Sequence, residues 1–173
     1  MDAMQAMLTR RSVKKYKSDA VPKALLDKII EAGLNAPSGL NKQAPIILAV
    51  TNKEVRDELS RLNAGKDPFF RSDPFYDAPA VLVVLADKSV PTHVYDGALV
   101  MENLQLAAHA LGLGACWIHR AKETFEMPEG KAILKKLGIE GEYEGIGNCI
   151  VGYMDGDFPA EKPRKENRVY YVE

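Results

Sequence analysis

Only two cysteines occur among these 173 residues, Cys116 and Cys149, and each lies inside an apolar stretch of strand character. This excludes a disulfide scaffold and fits two buried thiols in a reducing cytoplasm. The three histidines, His93, His109 and His119, are scattered and share no metal-ligand spacing with the cysteines, so no metal centre is expected. No apolar run approaches the roughly 20 residues that span a bilayer, and residues 1–8 carry an acid but no basic start, unlike a secretory signal. Charge of one sign is lacking too. The 23 Lys and Arg against 24 Asp and Glu leave a net charge of −1, which removes any bulk attraction to nucleic acid or an anionic membrane. No Gly-x-Gly-x-x-Gly follows a strand, and Gly112-Leu113-Gly114 does not complete one, so a Rossmann nicotinamide site is not indicated. With no repeat, linker or low-complexity tract, residues 1–173 read as one globular domain with a genuine core.

Hydrophobic spacing sets out the elements. Residues 2–10 read as a short helix with Met4, Met7 and Leu8 on one side. Pro22 opens a second helix, carried by Leu25, Leu26, Ile29 and Ile30 until Gly33 and Pro37 end it. A strand over 46–51, a helix over 53–62 and a Gly-, Pro- and aromatic-rich excursion over 63–77 follow. Residues 79–86 are apolar on both faces, as expected of a central strand. The span 95–111 has two charges and reads as a helix buried on most sides. After it come a strand at 115–119, a helix at 129–137, a strand at 146–153 broken by Gly147, and a β-prone tail at 167–172 that would add to another sheet. The alternation gives an α/β or α+β domain with helices covering a sheet.

What is present is concentrated charge. Arg10-Arg11-Ser12-Val13-Lys14 sets three cations and a hydroxyl within five residues, a rigid guanidinium fork beside a mobile ammonium, which suits a phosphate monoester. Beyond the next helix, Pro37 and Gly39 shape a loop on which Ser38, Asn41 and Gln43 offer small neutral donors and acceptors, suited to the edge of a planar heterocycle. Taken singly, the first segment also reads as a solvated basic patch and the second as a helix stop.

In this order and spacing the two segments resemble the FMN-dependent nitroreductase family, whose pattern is Arg-x-Ser-x-Arg/Lys and then Pro-Ser-x-x-Asn-x-Gln-Pro. Here stand Arg10, Ser12 and Lys14, then Pro37, Ser38, Asn41 and Gln43, with Ala44 replacing the customary Pro and Pro45 the aromatic that often follows. The resemblance continues through Leu111-Gly112-Leu113-Gly114-Ala115-Cys116-Trp117-Ile118-His119 and at Pro163-Arg164-Lys165.

The resemblance implies an α+β fold, with a central, mostly antiparallel sheet flanked by helices, in an interlocked, domain-swapped homodimer that shares two flavin sites. Arg10, Ser12 and Lys14 then match the residues at the phosphate, ribityl chain and pyrimidine edge, and Arg11 contributes through its backbone. Arg164 and Lys165 match a basic pair reaching the phosphate, or form a solvated tail. Pro37, Ser38, Gly39 and Asn41 match the loop approaching the partner's flavin, with Gln43 as its support. Trp117, Ile118, His119 and Arg120 match the segment beside the flavin N5 and O4 edge, where the family often shows an acidic residue and a Gly. A backbone N–H of His119 or Arg120 would donate to N5, while the His119 side chain faces substrate or packs. Asn63, just beyond a helix end, contacts the ring edge or caps the helix. Phe69, Phe70, Phe75 and Tyr76 wall the open side or simply pack. The implied activity is that of a cytoplasmic FMN enzyme that takes hydride from NADH or NADPH and reduces nitroaromatics, quinones or similar electrophiles by a ping-pong scheme. A flavin reductase of the same fold and a flavin-binding module without turnover are its rivals. Nucleic-acid binding rests on residues 10–17 alone.

Overall fold

A computed structural model describes residues 1–65 and 73–173. Its sheet runs in the order β1 (Pro45–Val50), β2 (Ala80–Asp87), β4 (Tyr143–Gly152), β3 (Gly114–Ile118), every neighbouring pair antiparallel. The expected α+β class is therefore the observed one. β2 is central, and its side chains alternate cleanly. Leu82 and Val84 join the core beneath the helices α2 (Lys23–Leu34) and α4 (His93–Ala110), whereas Val81, Val83 and Leu85 join the core on the other face. That second face is covered by α3 (Lys53–Ala64), α5 (Ala121–Glu126) and α6 (Pro128–Lys136) through Leu59, Phe125 and Leu134. A short α1 (Ala3–Thr9) packs on α4.

Local chemistry explains the boundaries. Pro22, with φ −56°, precedes α2, and Asn52 starts α3 by accepting the Val55 N–H at 3.0 Å. α3 runs to Ala64, two residues past expectation, so Asn63 lies within the helix rather than beyond it. The cap is Gly65, at φ 61°, and the reading of Asn63 as that cap is corrected. β4 begins at Tyr143 and is not broken at Gly147. Its register against β2 steps from Val84↔Gly147 to Leu85↔Gly145, leaving Ile146 as a bulge that shares a face with Cys149 and Val151. α4 begins at His93, two residues before the expected helix start at 95.

One burial expectation is also corrected. α4 buries Val100, Met101, Leu104 and Ala108 but leaves Val94, Tyr95 and Leu99 exposed, so in a single chain it is covered on one side rather than on most sides. On α1, Ala6 is buried and Met4, Met7 and Leu8 are exposed. The tail forms no strand within its own chain, and Val169, Tyr170, Tyr171 and Val172 are exposed.

Candidate functional site

The basic segment begins where α1 stops. The Arg10 N–H donates to Ala6 O to close the helix, and the chain then runs along the open edge of β3. Ser12 bridges Ala115 in parallel, Val13 N–H donates to Ala115 O at 3.0 Å, and the buried Val13 side chain packs on Gly114. Backbone alternation then turns the N–H groups of Trp117 and His119 toward that same edge, beyond the point where the segment can pair with them. The His119 carbonyl is taken: Asn63 Nδ2 donates to it at 2.7 Å from within α3. Trp117 packs closely against β4 because residue 147 is glycine, where a Cβ would sit 2.6 Å from the indole Nε1.

These groups enclose one cleft of about 680 Å³. Arg10, Arg11, Ser12 and Lys14 form one side of it, and Cys116, Trp117, Ile118, His119 and Arg120 the floor, with Asn63 at the end of the strand. Pro74 and Tyr76 stand on another side, Lys14 Nζ lying 5.5 Å from the Tyr76 ring centroid. The C-terminal segment crosses the opening with Pro159, Ala160, Lys162 and Arg164. Six of the lining residues are Lys or Arg, and among the described residues no Asp or Glu lines the cleft. Overall charge is near zero, so this field is local.

The cations are held differently. Arg10 Nε lies 3.6 Å from Glu102, while its Nη1 is buried with no hydrogen-bond partner among the described residues. Arg11 Nη1 donates to the Leu8 and Arg10 carbonyls at 2.9 Å, and its Nη2 lies 3.4 Å from Glu161. Arg120 adopts φ 73° and donates from Nη1 to Ala64 O at 3.2 Å. Lys14, Arg120, Lys162 and Arg164 have no carboxylate partner among the described residues. Burial pushes the Cys116 thiol up, against the pull of Ser12, Lys14 and Arg10, so it stays protonated at neutral pH. Burial also raises Cys149, and both cysteines are free and buried, as expected.

The other expected residues lie apart within one chain. Pro37, Ser38 and Gln43 line a separate hollow of about 140 Å³ with Leu34, Ala36, Pro45 and Val100. Gly39 and Asn41 belong to the turn above it, and Gln43 supports that turn: its N–H donates to Ser38 Oγ at 3.0 Å and its Nε2 to Asn41 Oδ1 at 3.1 Å. Lys165 is exposed and does not line the cleft. Of the aromatic wall, Tyr76 lines the cleft and Phe75 is fully buried in the core; Phe69 and Phe70 lie outside the described residues. His109, expected to be buried, is half-buried, with Nε2 2.8 Å from Thr9 Oγ1 and its ring stacked on Phe158. Sequence reading missed Lys162 as a lining residue, together with Pro74, Pro159 and Ala160. The nearness of Lys162 to Arg164 was the available signal for the first.

Comparison with known proteins gives a consistent likeness. The Nitroreductase family matches over residues 7–153. A Methanothermobacter thermautotrophicus protein named NADH dehydrogenase/NAD(P)H nitroreductase is 34% identical over 142 residues, covering 75% of this chain and 71% of that protein. The Bacillus subtilis FMN reductase (NAD(P)H) is 28% identical over 180 residues, covering 94% of this chain and 70% of the relative. Among solved structures, a Bacteroides fragilis nitroreductase with bound FMN superposes with a TM-score of 0.89 at 29% identity, covering 100% of both chains.

Proposed function

The chain belongs to the nitroreductase family, and we propose that it is a flavin-dependent NAD(P)H oxidoreductase whose FMN occupies the cationic cleft and whose acceptors are nitroaromatics, quinones or similar small electrophiles. The observation that carries this reading is the meeting of residues 10–14, the free edge of β3 and the segment through Arg164 around one cavity. The cleft fits the group. Its volume of about 680 Å³ lies within the roughly 300–1,000 Å³ of cofactor and ligand sites, and the buried, unpartnered Arg10 Nη1, with Lys162 and Arg164 lacking a carboxylate partner among the described residues, suits a dianionic phosphate. FMN, when bound, supplies hydride acceptance and donation. The chain's part is to bind and orient it. Arg10, Ser12 and Arg164 would hold the phosphate end, Lys14 would reach the ribityl chain and pyrimidine edge, Arg11 would contribute its backbone, and Lys165 would add charge from outside the wall. Trp117 and Ile118 would form the floor beneath the ring, and the His119 or Arg120 N–H would donate to the ring edge, with Asn63 fixing that segment. In a ping-pong scheme NADH or NADPH and the acceptor take turns in one space, which agrees with the absence of a Gly-x-Gly-x-x-Gly segment.

A homodimer completes the proposal, with Pro37, Ser38, Gly39 and Asn41 of a second copy placed over the flavin and Gln43 bracing them. Support comes from the apolar residues a single chain leaves exposed: Met4, Met7 and Leu8 on α1, Val94, Tyr95 and Leu99 on α4, and Val169 to Val172. Among the described residues no helix is long and apolar enough to cross a membrane, and a cytoplasmic enzyme with reduced cysteines is the setting proposed. The similarity to an FMN reductase keeps flavin reduction as a second reading of the same site.

The phosphate assignment is tested by flavin affinity. Arg10→Ala should weaken FMN binding by about 1.5–3 kcal/mol, the worth of a charge-assisted hydrogen bond, and riboflavin should bind the wild type more weakly than FMN does. Equal affinity of the wild type for riboflavin and FMN, measured by fluorescence titration, would remove the phosphate from this end of the cleft.

A further inference from the structure

Arg120 is not accounted for by a phosphate at Arg10 and Ser12. Ser12 bridges Ala115, whereas Arg120 lies two residues past the far end of β3, which at about 3.3 Å per residue is well over 10 Å along the strand. Its guanidinium is fixed there by the 3.2 Å bond from Nη1 to Ala64 O, so it cannot swing to the other end. That one bond uses one of five donors. No carboxylate answers the charge among the described residues. The backbone adds a second observation. Arg120 holds φ 73°, a conformation that favours glycine and is unfavourable for other residues, and its carbonyl is locked by Thr124 N–H at 3.1 Å and Oγ1 at 3.0 Å. A cation is thus presented rigidly at the opposite end of the cleft from the phosphate site, next to the exposed His119. A second copy's turn at 36–43 would bring Lys42 and no acid, so it would not neutralise this end.

We propose that Arg120 forms a second anion-binding subsite, so that the small molecule turned over here is a planar compound bearing a carboxylate or a phosphate, anchored by that group while its conjugated part lies over the cofactor. The proposal rests on the functional reading above for what the molecule undergoes, but its binding can be read separately. Calorimetric titration of the purified wild-type protein with benzoate, phenyl phosphate and neutral benzamide compares three ligands of similar shape. At least one of the two anions should bind about tenfold more tightly than benzamide at about 50 mM salt, and which one does so tells a carboxylate site from a phosphate site. The gap should shrink to less than about threefold in about 500 mM salt and in Arg120→Gln, and Arg120→Lys should keep part of it. Benzamide binding as tightly as both anions to the wild type would overturn the subsite, and so would a preference that Arg120→Gln leaves intact. Should that variant fail to fold, the wild-type preference and its salt dependence decide. Anion preference in a protein whose flavin NAD(P)H does not reduce would keep the subsite and sink the enzyme reading; rapid reduction without that preference would do the reverse.

Discussion

His109 sits in the last turn of α4 and ties the C-terminal segment to α1. Thr9 Oγ1 gives its one hydrogen to Gln5 O at 2.6 Å, so it must accept from His109 Nε2, which places the imidazole proton on that nitrogen. The ring stacks on Phe158, centroids 5.4 Å apart, just before the residues that cross the cleft. Burial first, then the positive charges of Arg10 and Arg11, hold the imidazole below its ordinary 6.5. The unfolded chain therefore takes up this proton at a higher pH than the folded one. Its contribution to stability is present above about pH 6.5 and is lost as pH falls through the depressed folded value. Urea unfolding should show wild type losing stability between about pH 7.5 and about pH 5, and His109→Gln losing less over the same window. Equal losses in both would place the titration elsewhere. Other single residues were less legible than the motifs: the contact of Asn63 with His119 spans 56 positions, and nothing in the local sequence announces it.

Among the elements, the turn over Gly39–Asn41 is the least regular, with Leu40, Asn41 and Gln43 all at positive φ. A buried carboxylate holds it. Asp96, 3% exposed in the first turn of α4, accepts the Gly39 N–H at 3.0 Å and the Thr92 hydroxyl at 2.9 Å, and a Cβ on Gly39 would lie 2.4 Å from Thr92 Oγ1. Asp96→Ala should cost about 1–3 kcal/mol by stranding those donors, and should release the Gly39 amide to exchange, while Asp96→Asn, which can still accept, should do less. An unchanged Gly39 exchange rate in the alanine variant would show that the turn is held by other contacts. The sequence disclosed β2, α2 and α3 because their apolar periods are long and clear. It hid α5, whose six residues are too few for a stripe and which is set by the Thr124 bonds to Arg120 O. It also suggested a break at Gly147, where the chain instead bulges at Ile146 and leaves room for Trp117.

For the whole molecule, the site's two halves were legible as motifs but not as a distance. The strip at 10–14, the β3 segment and Arg164 converge within one chain, whereas Pro37, Ser38 and Gln43 line a hollow of their own. Under the proposed dimer the second group serves the other subunit's cleft, and the exposed tail docks outside its own chain. Deleting residues 167–173 should then lower dimer stability and flavin content together, followed by light scattering and by bound flavin per chain. A monomer that still holds one FMN tightly would refute the shared site. The central claim is turnover of a flavin in the cationic cleft, and anaerobic titration of the purified protein with NADH and with NADPH tests it most directly. The yellow absorbance of bound FMN should bleach rapidly with at least one donor and return on adding a nitroaromatic or quinone; a flavin that stays oxidised under excess of both donors would contradict the account and leave a binding module in its place.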